Sequence, residues 1–163
     1  MANLDAHKVF TYMLKPTLLT TVIVSIFSIG QVRMVQATRI ELSQFHWKNR
    51  LLFLFAPKRS HPVFDTLHKS IAAQQAEVED RDLLVFEILE SEPSIMNSDR
   101  LDPQTAQYLR KKLDVPRGEF TVVLIGKDGG IKLKRQEQIQ LEDIFALIDA
   151  MPMRQEEMRQ KAQ

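Results

Sequence analysis

Lys58, Arg59, Ser60 and His61 form a run of four side chains of the kinds that hold anions and move protons. Two cations at the start of a helix would receive a carboxylate, sulfate or phosphate, because the free N–H groups and the helix dipole both favour negative charge there. Ser60 beside His61 has the residue types of a hydrolase. A nucleophilic serine, however, needs a base set against its oxygen and an oxyanion hole, which adjacent residues do not arrange, and no Gly-x-Ser-x-Gly elbow is present. His46, His61 and His68 lack the paired spacing of a metal motif, and the last two stand about two helical turns apart. They read as capping or surface histidines, and neither a metal nor a cofactor is expected. Gly126-Lys127-Asp128-Gly129-Gly130 lacks the spacing of a phosphate loop and leads into a strand, so it reads as a hairpin turn. Trp47, Lys48 and Arg50 would make an aromatic and basic contact surface if exposed; the favoured reading packs Trp47 beneath the first helix. No cysteine occurs among the 163 residues, so thiol oxidoreductase and peroxidase chemistry, which attacks through a thiolate, is excluded.

The elements that must position these residues follow a stretch of different composition. Residues 17–32 carry no charge and follow Lys8 and Lys15, and Val35-Gln36-Ala37 ends in a small residue. That is the layout of a signal peptide over residues 1–37. The competing reading is an uncleaved anchor, since residues 16–32 reach the lower edge of a membrane span. With 22 basic and 21 acidic side chains well mixed along the chain, nothing points to nucleic acid.

Beyond this stretch, residues 51–56 are apolar without alternation and stop at Pro57, as a strand covered on both faces would. Pro62 suits the first turn of a helix capped by Ser60 or His61, with Phe64, Leu67 and Ile71 at helical spacing and an end near Glu79. After a polar break at residues 80–82, residues 83–89 form a second buried strand, and a strand-helix-strand unit predicts parallel pairing. Residues 90–101 read as a surface loop. Asp102 caps the next helix with Pro103 at its first position, and the helix stops before Pro116. Residues 120–125 form a third strand. Residues 131–134 alternate apolar and basic as an exposed edge would, and the glycine turn between them predicts an antiparallel pair. Leu141, Ile144, Phe145 and Ile148 mark a last helix, interrupted by Pro152 and followed by a charged tail. Met151, Met153 and Met158 could face a partner, but packing of the helix end is the stronger reading for Met151, which continues the buried stripe, and Met158 is freer.

This order is that of a thioredoxin-like α/β sandwich: a four-stranded mixed sheet with helices on both faces. Leu124-Ile125-Gly126-Lys127-Asp128-Gly129-Gly130-Ile131-Lys132-Leu133, then Ile148-Asp149-Ala150-Met151-Pro152-Met153-Arg154, with Trp47-Lys48-Asn49-Arg50 ahead of the first strand, resemble the domain of unknown function numbered 4174. That family is similar to the cysteine-poor, peroxiredoxin-like modules of the sushi-repeat-containing secreted proteins. The resemblance runs over residues 45–157, leaving 158–163 as a polar tail, and implies the fold and an exported setting, periplasmic or extracellular. It carries no catalytic residues over. In such a fold the reactive thiol sits just after the first strand, where this chain has Lys58, Arg59, Ser60 and His61.

The expected function is therefore binding of a protein or an envelope or matrix polymer, through residues 57–62 and the nearby segment 47–50. Membrane contact would come only through an uncleaved N-terminal segment. The alternatives are an enzyme of non-thiol chemistry at the loop after the first strand, and a membrane-tethered structural module.

Overall fold

The computed structural model describes residues 40–163; the signal or anchor expected over residues 1–37 lies outside them. The apolar run 51–56 is buried throughout and forms most of strand β1, Arg50–Ala56. With no polar residue to face solvent, its two sets of side chains each need a cover. Leu52, Leu54 and Ala56 join one core with Phe64, Leu67 and Ile71 of helix α1 (Pro62–Ala73), Val78 of α2 (Gln75–Asp80) and Ile144 and Ile148 of α4 (Leu141–Asp149). Leu51, Phe53 and Phe55 join the other with Ala106 and Leu109 of α3 (Pro103–Lys112) and with Leu42, from a 3-10 turn at Leu42–Phe45. The helices therefore cover both faces, as expected.

β1 pairs in parallel with β2 (Leu83–Leu89), from Arg50 beside Leu83 to Ala56 beside Leu89, so both strands end at the same edge. On its other side β1 pairs antiparallel with β5 (Thr121–Ile125), which pairs antiparallel with the exposed β6 (Ile131–Arg135). The hairpin predicted at residues 126–130 is formed. Gly129 sits at φ +79°, where a side chain would be strained and a Cβ would run into the His46 imidazole.

The sheet has six strands, not four, in the order β4-β3-β2-β1-β5-β6. Within the stretch expected to be loop, β3 (Ile95–Met96) and β4 (Asp99–Arg100) extend the sheet beyond β2. Asn97 and Ser98 between them both have positive φ, and Asn97 Oδ1 accepts from Val85 N–H at 2.9 Å, which fixes the hairpin to the sheet. The helix expected to run to Glu79 breaks at Gln74, whose φ of −120° leaves the helical region. Pro152 interrupts α4 as expected, but it occupies the first turn of a further helix, α5 (Pro152–Lys161), which runs through the expected charged tail. Among the described residues, no helix is long and apolar enough to cross a membrane.

Candidate functional site

The shared end of β1 and β2 places two loops side by side. Pro57 O accepts from Ser91 N at 3.2 Å and Ser91 Oγ at 3.0 Å, tying the loop after β1 to the loop after β2. Lys58 is exposed and has no ion-pair partner among the described residues. Arg59 N donates to Glu92 Oε1 at 2.8 Å, and the Arg59 guanidinium reaches Glu87 Oε2 at 2.7 Å. Ser60 is exposed; His61 is the N-cap of α1, giving no side-chain capping bond, and its ring stacks on Phe120 at 5.5 Å. A carboxylate of the chain itself, Glu92, thus takes the Arg59 amide, and of the amides near Ser60 and His61 expected to receive an outside anion, that of His61 donates to Lys58 O at 3.1 Å. No hydrogen bond joins Ser60 to His61 among the described residues, and the His61 ring stacks on Phe120 instead.

Glu87 was not singled out in the sequence, where it is one acid in a run of apolar residues. It occupies the face of β2 beneath α1, is 5% exposed, and accepts from Arg59 while its Oε1 lies 2.6 Å from His68 Nδ1. A carboxylate that deep needs both partners, since each unpaired oxygen would keep the full penalty of lost water. His68, in turn, stacks on Phe64 at 5.9 Å. His46, His61 and His68 therefore have separate surroundings, and no group of metal-ligating side chains occurs among the described residues.

Beside these loops lies a cleft of about 680 Å³, formed by the end of β2, residues 90–94, the start of β4's successor segment at Leu101 and the outer face of α3. It is basic. Arg110, 8% exposed, donates to Pro116 O at 2.9 Å, lies over the Phe55 ring at 5.1 Å, and has one carboxylate, Glu90, at 3.4 Å. Burial pushes its guanidinium below the ordinary arginine value. Arg100, Lys111 and Arg117 line the same cleft with no ion pair or hydrogen bond to their side chains among the described residues. Glu90 is further engaged by Gly118 N at 2.8 Å, and Glu92 by Arg59, so the cleft's own acids are spoken for. The cleft lies outside the carboxyl end of β2, in the one parallel pair of the sheet.

The contact segment expected near the loop is elsewhere. Trp47 precedes β1 and Arg50 is its first residue, so the strand itself, at roughly 3.3 Å per residue, sets them about 20 Å or more from Pro57. Trp47 is 67% exposed, not packed beneath a helix: its φ of +63° and the bond from its N–H to Lys127 O turn it outward, while Phe45 takes the inner place, edge-on to Phe86 at 5.9 Å. Lys48 is exposed, but Arg50 is 1% exposed and belongs to no surface. Its Nη1 and Nη2 pair with Glu157 at 3.1 and 3.2 Å. Lys127 Nζ reaches the same carboxylate at 2.7 Å and Asp82 at 2.8 Å, and Arg154 holds Asp149 and Asp80. Burial pushes the Glu157 carboxyl up, but hydrogen bonds from Arg50 and Lys127 outweigh it and hold it below the usual value. One ionic network thus joins Arg50, Lys127 and Arg154, one residue from each quoted motif.

A family model, "Domain of unknown function (DUF4174)", matches residues 41–157, the span over which this network closes. The chain belongs to the DUF4174 family. Relatives include the sushi repeat-containing protein SRPX2 of Xenopus laevis, 27% identical over 122 residues, covering 73% of this chain and 27% of that protein. The human sushi repeat-containing protein SRPX is 28% identical over 120 residues, covering 72% and 26%. This chain thus spans about a quarter of the length of these relatives. Among solved structures, the thioredoxin peroxidase I of Plasmodium yoelii has a TM-score of 0.54 at 18% identity, covering 72% of this chain and 80% of that one. The reduced 2-Cys peroxiredoxin of Plasmodium vivax has 0.55 at 16%, covering 72% and 85%. These likenesses confirm the thioredoxin-like α/β fold.

Proposed function

We propose that this DUF4174 domain is a binding module that works outside the cytoplasm and takes an acidic partner, a protein surface or polymer, in the basic cleft between α3 and the loop after β2. The observation that carries this reading is the set of cations without ion-pair partners among the described residues, Arg100, Lys111 and Arg117, around Arg110, which Glu90 alone faces. Most surface charges in a mixed surface find opposite neighbours; a cleft whose cations do not is matched by an acidic ligand. The reading moves the anion site expected at Lys58, Arg59, Ser60 and His61 into the adjoining cleft, since Glu87 and Glu92 satisfy Arg59. The N-terminal apolar stretch and the sushi repeat-containing relatives support the exported setting.

The test is retention of the full chain on immobilised polyglutamate and on a sulfated polymer at about physiological ionic strength, where surface attraction reaches roughly 8 Å. Wild-type chain is expected to be retained on at least one of them, and a Lys111→Ala/Arg117→Ala variant to elute early. A Lys48→Ala/Arg159→Ala variant, which removes two exposed cations that do not line the cleft, is expected to be retained as the wild type is. Equal retention of all three chains, or none by the wild type, would refute the assignment.

A further inference from the structure

We infer that a second cavity, at the opposite end of β1, binds a linear amphipathic carboxylate, an acyl chain with its acid end inward. The cavity has a volume of about 440 Å³, within the range of small-molecule sites. Arg50, Lys127 and Lys132 line one side with a single acid, Asp128, which Lys132 Nζ holds at 2.7 Å, leaving Arg50 and Lys127 as the cations open to a ligand. The acids that neutralise Arg50 and Lys127, Glu157 and Asp82, do not line it, so the cations stand between the cavity and their counter-charges. Arg50 is 1% exposed and its Nε has no partner among the described residues. A buried donor left open in a native fold calls for an acceptor.

The N-terminus of α5 adds to this. Met151, its N-cap, supplies no side-chain capping bond, and Pro152 opens the ten-residue helix beside the cavity. The first-turn amides and the dipole are therefore available to an anion.

The remaining wall is apolar: Leu147, Met151, Pro152 and Met153. These side chains offer no partner to the amide groups of a peptide, and burying an amide unpaired is unfavourable. A hydrocarbon chain needs no partner, and methionine, unbranched and polarizable, conforms to a flexible one. Met153 is 38% exposed at the rim, leaving the cavity open to entry. Acid end inward and chain along the methionines is the arrangement that satisfies both walls.

The experiment is a titration of the full chain, isotopically labelled, with decanoate below its micellar concentration, followed by amide NMR shifts. Saturable shifts centred on residues 126–132 and 147–153 are expected, with decanol and acetate each at least tenfold weaker. Leu147→Trp, which fills the cavity, is expected to abolish the shifts. Should that variant fail to fold, Met153→Glu at the exposed rim keeps the test, since the added like charge is expected to weaken decanoate at least fivefold. Absence of saturable shifts, shifts centred on the α3 cleft, decanol binding as tightly as decanoate, or decanoate binding unchanged in the folded variant would overturn the site. An apolar tetrapeptide with a free C-terminal carboxylate binding as tightly as decanoate would overturn the choice of an acyl chain.

Discussion

Replacing Arg154 by methionine tests whether the ionic network holds α5 to the sheet. Arg154 is 3% exposed; its Nε donates to Asp149 Oδ1 at 3.1 Å, its Nη1 to Asp80 O at 2.7 Å, and its Nη2 to the Asp80 carboxylate. Charged hydrogen bonds contribute about 1.5–3 kcal/mol each when both partners are buried. The Asp149 and Asp80 side chains, however, are 30% and 44% exposed, so water recovers part of what is lost and screens the charges. Methionine keeps the aliphatic volume, which leaves a net cost of about 2–3 kcal/mol, a large share of the roughly 6–18 kcal/mol of a domain this size. In urea, followed by far-UV circular dichroism, the midpoint should fall by about 1–2 M at unchanged slope. The control is Arg159→Met, which removes a 63% exposed arginine paired with Glu156 and should cost no more than about 0.5 kcal/mol. Acid gives a second reading. Hydrogen bonds from Lys161, and then from Arg154, hold the Asp80 carboxyl down at about 2, against an ordinary value of 3.8. Because its folded value is the lower, the stability it adds is present above about pH 4 and is lost as pH falls toward 2. Arg154→Met removes one of the two donors, so this acid limb should become shallower. Destabilisation no greater than that of Arg159→Met, or an unchanged acid limb, would refute the network as the clamp of α5.

Two further substitutions probe the sites separately. Glu87→Gln leaves an amide that can accept from only one of Arg59 and His68; a loss of about 1–3 kcal/mol in thermal melting and faster amide exchange at residues 58–61 are expected. Gly129→Ala places a side chain at φ +79° against His46, and chemical denaturation should show a loss of about 1–2 kcal/mol.

The central strands were legible because burial on both faces leaves an unbroken apolar run, and β6 because an exposed edge alternates. The hairpin of β3 and β4 was not, since strands of two residues have no period to detect and Asn97-Ser98 lies among other polar turn formers. Hydrophobicity misplaced Trp47, whose outward turn comes from one hydrogen bond to Lys127 O, on a hairpin distant in sequence. Charge misplaced Arg50: a buried arginine is recognised by its partner, and Glu157 lies 107 residues on. The basic cleft was illegible for the same reason. Arg100, Lys111 and Arg117 are ordinary surface residues until the fold assigns the nearby acids to other groups. Loop 57–62 was located correctly, but not the Glu92 carboxylate that fills it.

The pairing of Arg50 with Glu157 has a consequence for the order in which the chain is made. Synthesis delivers the arginine at the entry of the central strand early and its counter-ion more than a hundred residues later. A nascent chain can pair β1 with β2, and then with β5, while that guanidinium is still without its carboxylate, a state that carries the penalty of an uncompensated buried charge. The Arg50 guanidinium gains this counter-charge only when α5 docks. A chain truncated ahead of Glu157 would leave the Arg50 guanidinium at the entry of β1 without this counter-charge.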